Sequence, residues 1–203
     1  MRDQEVFVLA DRALNDVVGQ IKDDQWEMAM PEEFALQDAE STTLRDVVNA
    51  HAYDDAWVPD MLAGNTMDFV GADKWRGDLL GDNPRANFAI LVDEACAAAA
   101  ALPDKDLDRT VHCSFGDYSA RHYLSQIGSY RGLRAYDLAK VTGADPELPD
   151  ELVAGLWEQL EPVADEWREY GVFGPRVEVP ADASPLDKLL GLTGRQPHDA
   201  GSV

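Results

Sequence analysis

Apolar residues recur at helical spacing along almost the whole of this chain, and that period restricts it to packed helices. Phe7, Ala10, Leu14, Val17, Val18 and Ile21 make one face of a first helix, which stops near Asp23 and Asp24. A turn-rich stretch with Pro31 follows. The second helix has an explicit start: Thr43 precedes Leu44 and Asp46 stands three residues on, the pattern of a capping box. Leu44, Val47, Val48, His51, Val58 and Leu62 then share a side, Pro59 is expected to kink or shorten the last turn, and Gly64-Asn65 ends it.

Residues 66–83 read as a long connection in which Trp75 plugs the core. Pro84 opens a third helix with the stripe Phe88, Leu91, Val92, Ala95, Cys96 and Leu102, closed by Pro103. Residues 110–117 form a loop with room for a short extended piece. A fourth helix runs from about Ser119 to Val141 on Ala120, Tyr123, Leu124, Ile127, Tyr130, Arg134, Leu138 and Val141, and Thr142-Gly143 stops it. Pro149 and Asp150 begin a fifth, carrying Leu152 to Trp167, with a kink expected at Pro162. From Tyr170 the pattern changes to glycines and prolines, with one short helical piece at Leu186–Leu192 and a frayed end from Gln196 to Val203. The expectation is an all-α fold. Residues 1–169 form an up-and-down four-helix bundle with an extra helix, and 170–203 an irregular extension packed on it.

Composition excludes some functions. With 203 residues and 45% hydrophobic side chains the chain can build a core. Its 39 acidic and 17 basic residues give a formal charge of -22, a field that repels nucleic-acid phosphates and anionic membrane surfaces. No apolar run has the length of a membrane span and no leader is visible, so a cytoplasmic protein is expected. Two cysteines make no secreted disulfide framework. Cys96 reads as a small buried hydrophobe, and Cys113 beside His112 makes a poor nucleophile–base pair, because adjacent side chains rarely face each other. Trp26, Trp57, Trp75, Trp157 and Trp167 read as core or loop anchors. The sequence carries no Walker A loop, dinucleotide fingerprint, HExxH or CxxC.

Two residues interrupt apolar stripes. His51 does so on the second helix, and a lone histidine there is more often a hydrogen-bonded core residue than a ligand. Arg134 does so on the fourth, where it needs a carboxylate or a route to solvent. Asp54 and Asp55, three and four residues after His51, share its helix face and are candidate partners, and Asp137 is a local one. Gly128 and Gly132, four apart, allow close helix approach.

The stretch Thr43 to Gly64 resembles the second-helix signature of the maleylpyruvate isomerase-like, DinB-like family. Asp23-Asp24-Gln25-Trp26, Ser114–Tyr118, Arg134–Ala139 and Phe173–Arg195 resemble further elements of it, the last an ending of one actinobacterial branch. The resemblance implies a four-helix bundle with a divalent metal such as zinc or nickel at its centre, and thiol-dependent S-transfer or isomerisation. A histidine of the second helix and two ligands four apart on the fourth would hold the metal. Those positions fall on Ala50, Tyr130 and Arg134, with His51 one residue away, about 100° round the helix. None of the three is an ordinary zinc ligand. The reading is therefore a family protein with a degenerate metal site, binding a small molecule, a thiol or a partner as a monomer or homodimer. Arg134 would stand in for the cation among His51, Asp54, Asp55 and Tyr130. The alternative is an active metal- and thiol-dependent enzyme.

Overall fold

The structure is a computed structural model that describes residues 1–36, 41–114, 116–145 and 148–197. It holds eight α-helices and one two-stranded sheet among the described residues, so the chain is mostly helical, as its periodicity requires. It divides into two compact units, Arg2–Pro146 and Met1 with Glu147–Val203. The division precedes the fifth long helix, whereas sequence periodicity placed a boundary after it, at 169/170. A helix can follow its period while packing with what comes after it: α6 (Asp150–Leu160) packs on α8 (Pro185–Leu192) within the second unit.

In the first unit α1 (Asp3–Gln20) packs along α5 (Ala120–Thr142) and also meets α4 (Pro84–Ala101), which in turn packs on α2 (Leu44–Leu62). The start of α2 is the expected capping box, with Asp46 N–H donating to Thr43 Oγ1 at 3.2 Å and Thr43 N–H to Asp46 Oδ2 at 2.8 Å. Pro59 does not end the helix, which runs on to Leu62. Its missing N–H leaves the Asp55 carbonyl without the usual donor four residues on. A one-turn helix α3 (Met67–Val70) lies in the long connection, and Trp75 is partly buried against the core.

Strands β1 (Thr110–Cys113) and β2 (Gly116–Ser119) pair antiparallel with Val111 opposite Tyr118, the extended piece expected there. Ser119 ends β2 and caps α5 by accepting the His122 N–H at 3.2 Å. Gly143 closes α5 in a left-handed conformation (φ 73°) and donates to the Ala139 carbonyl. At Gly128 α1 and α5 approach closely: a Cβ there would lie 3.2 Å from the Phe7 Cα. Phe7, Trp57, Val58, Met61, Leu62, Tyr123 and Leu124 join in one core.

In the second unit α6 ends at Leu160 and α7 (Ala164–Glu169) begins after a turn containing Pro162. Pro162, expected to kink one helix, thus divides two. The expected frayed end lies outside the described residues from 198 onward.

Candidate functional site

Arg131 on α5 has no solvent-exposed side-chain surface. A guanidinium has five N–H donors and no acceptor, so burial is tolerable only if acceptors surround it. Helices α1 and α2 supply them. Its Nε donates to Asp11 Oδ1 and to Asp55 Oδ1, both at 3.2 Å. Its Nη2 donates to Asp55 Oδ1 at 2.6 Å and to the His51 carbonyl at 3.3 Å. Its Nη1 donates to His51 Nδ1 at 3.0 Å and lies 3.6 Å from Asp54 Oδ2.

Helical spacing explains the arrangement. His51, Asp54 and Asp55 sit at i, i+3 and i+4 of α2 and so face the same way, as sequence analysis expected. Asp11 occupies the apolar face of α1, four residues after Phe7 and three before Leu14, and its carboxyl is wholly buried. Its Oδ2 also receives the Cys96 thiol at 3.7 Å.

The cation at the centre is Arg131, and this corrects the expectation for Arg134. Arg134 stacks on Phe34, with Cζ 4.5 Å from the ring centroid, donates to Tyr130 Oη at 3.2 Å, and lies 3.9 Å from Asp137. Tyr130 is 44% exposed, and its ring lies 5.0 Å from that of His51. The structure therefore brings His51, Asp54 and Asp55 to one point and leaves Tyr130 and Arg134 at its outer edge. Sequence reasoning missed Asp11 and Arg131. Asp11 had a signal, a carboxylate on the stripe between Phe7 and Leu14. Arg131 had one as well, since Leu124, Ile127, Arg131, Ala135 and Leu138 fit a helical face as well as the stripe through Tyr130 and Arg134.

The geometry fixes protonation states. Arginine can only donate, so His51 Nδ1 must present its lone pair, and the ring is neutral with its proton on Nε2. Burial, and then the charges of Arg131 and Arg134, hold the His51 pKa well below the ordinary histidine value. Burial pushes Asp55 well above the usual carboxylate range and raises Asp11, against the opposing pull of Arg131. His51 Nε2 and Asp55 Oδ2 are both buried without a hydrogen-bond partner among the described residues.

A divalent cation does not fit these residues. Ala50 has no donor atom, Tyr130 Oη is engaged by Arg134, and Arg134 is itself a cation. The nearest metal-type donors, His51 Nδ1 and the Asp11 and Asp55 carboxylates, are already bound to a guanidinium. No cluster of three or more histidine, cysteine or acidic side chains suited to a metal ion occurs among the described residues.

A small pocket of about 60 Å³ opens beside this cluster, with Asp54 in its wall and Tyr53, Trp57, Met61 and Tyr123 around it. No described helix is long and apolar enough to cross a membrane. The chain matches no family model, no curated protein and no solved structure.

The neutral state of His51 has a measurable consequence. Below the ordinary histidine pKa of 6.5 the unfolded chain takes up a proton that the folded chain refuses, so this contribution to stability is lost as pH falls through that value, by up to about 1 kcal/mol per pH unit. Asp55 has the opposite sign: its raised folded pKa makes its contribution largest at low pH, and it is lost as pH rises above the unfolded value of 3.8. His51→Asn keeps an acceptor for Arg131 but does not titrate. The stability gap between the wild type and this variant is expected to narrow from pH 7 to 5.5 in urea denaturation, the Asp55 contribution being common to both. A constant gap would mean that His51 titrates normally in the fold.

Proposed function

We propose that this chain is a ligand-binding protein of the DinB and maleylpyruvate isomerase-like kind, a cytoplasmic four-helix bundle that has lost the ligands at that family's metal positions and holds a fixed guanidinium, Arg131, in its interior instead. It would bind a small molecule or a partner protein, as a monomer or homodimer, and neither nucleic acid nor membrane. One observation carries this reading: Arg131, fully buried, is held by Asp11 of α1 and by His51 and Asp55 of α2. Those are the side-chain types that would otherwise hold a metal, and they converge on one cation. The formal charge of -22 and the pocket beside Asp54 agree with a role in binding small molecules rather than polyanions. Low-molecular-weight thiols are one candidate class. Without a metal to lower a thiol's pKa, they would be bound rather than activated.

The test is elemental analysis of protein purified without a His-tag and dialysed against zinc or nickel, followed by assay for thiol transfer. The expected result is metal far below one equivalent and no thiol-dependent turnover. One equivalent of metal that is lost in His51→Ala, with turnover, would overturn the reading in favour of a metal-dependent S-transferase or isomerase.

A further inference from the structure

We propose that the pocket beside the Arg131 cluster binds a small organic ammonium group. This rests on the reading of the chain as a small-molecule-binding protein and names its ligand class.

Three aromatic side chains share the wall with Met61, Met67 and Ile127. Trp57 and Tyr123 are buried, and Tyr53 meets Trp57 edge to face with ring centroids 6.3 Å apart. Such rings turn π-faces with negative potential toward a cation and favour ammonium groups over neutral groups of the same shape. Asp54, whose side chain is about half exposed, is the one charged side chain of the wall among the described residues, and Ser114 and Cys113 add a hydroxyl and a thiol.

The contacts of Arg131 give Asp54 its role. Three carboxylates, Asp11, Asp54 and Asp55, face the single charge of Arg131. Arg131 gives its hydrogen bonds to Asp11, Asp55 and His51 and reaches Asp54 only at 3.6 Å. The carboxylate least tied to Arg131 is thus the one that opens on the pocket. A cation bound there would lie against the Asp54 carboxylate on one side and the rings on the other. An anion would meet the same carboxylate unfavourably. The pocket volume of about 60 Å³ suits a head group of a few heavy atoms.

The probes are methylammonium, tetramethylammonium and neutral tert-butanol, titrated into the metal-free protein while the indole N–H resonance of Trp57 is followed by NMR. Saturable ammonium binding with a millimolar dissociation constant is expected, with tert-butanol at least about tenfold weaker. Asp54→Asn should weaken ammonium binding about tenfold or more without altering the fold, because this side chain is half exposed. Tyr53→Leu should weaken it through the wall alone. Equal binding of tert-butanol, unchanged affinity in Asp54→Asn, or no saturation by about 100 mM ammonium would each overturn the site. These failures are distinct from failure of the broader reading, which is decided by metal content and thiol transfer whatever enters this pocket.

Discussion

Replacing Arg131 with methionine is expected to cost about 3–5 kcal/mol of folding stability at pH 7, measured by urea denaturation. The loss comes from what is left behind. Asp11 and Asp55 would remain fully buried with no cation between them, and burial already raises both pKa values while Arg131 is present. Without it both would rise further and be neutral in the fold over a wider range. Folded pKa values above the unfolded ones give stability that is present at low pH and lost as pH rises through the folded values. The variant should therefore regain stability between pH 7 and 5, where the wild type loses the His51 contribution. Replacing all three residues with apolar side chains of similar size, as Arg131→Met with Asp11→Leu and Asp55→Leu, should restore most of the loss. A triple variant as unstable as Arg131→Met alone would show that the charges are not the reason. By contrast, Arg134→Met should cost about 1–2 kcal/mol, because its ion pair with Asp137 is long and what else holds it is stacking on Phe34 and Tyr130 and one bond to the Tyr130 hydroxyl. Equal costs at 131 and 134 would refute the placement of the central cation.

The contrast between 131 and 134 also shows where sequence reading stops. Helix α2 was legible in detail because its signals are local: Thr43 and Asp46 cap it, and His51, Asp54 and Asp55 must share a face whatever they touch. Helix α5 was legible in extent but not in rotation. Its buried residues include Tyr123, Gly128, Arg131, Gly132, Leu133, Ala135, Tyr136 and Leu138, which surround much of the helix, so steps of three or four residues trace equally good stripes. One stripe passes through Arg134 and the other through Arg131, and only tertiary packing chooses between them. Asp11 was missed for a related reason. A carboxylate on an apolar stripe reads as an exception until the guanidinium that pairs with it is known, and that partner is 120 residues away. The division of the chain before α6 was hidden because amphipathic period marks a buried face without naming what covers it.

Gly191→Ala is expected to unlatch the segment at Val177 from α8, although alanine is the better helix former. Gly191 lies within Pro185–Leu192, and alanine there would gain up to about 1 kcal/mol of helix propensity in isolation. A Cβ at this position, however, would sit 2.5 Å from the Val177 carbonyl oxygen and 3.1 Å from Val179 Cγ1. The obstacle is backbone, and that backbone is fixed by the Val177 N–H donating to the Gly191 carbonyl at 2.9 Å. It cannot move aside as the end of a flexible side chain would, so the segment must retreat and lose the bond. The clash outweighs the propensity gain, with a net loss of about 1–3 kcal/mol. Val177 reports it directly: its amide should exchange with solvent at least about tenfold faster in Gly191→Ala than in the wild type. Gly19→Ala is the matched control. It lies in α1 with no atom near the added methyl, so the change should be neutral or stabilising by up to about 1 kcal/mol. If Val177 stays protected in Gly191→Ala, the crossing has room for a methyl group and the close approach of this backbone to α8 is not what holds the segment. If protection is lost, the segment bearing Arg176 and Glu178, which lines a second opening of about 200 Å³ with Trp157 and Lys188, is held in place by the absence of a single side chain.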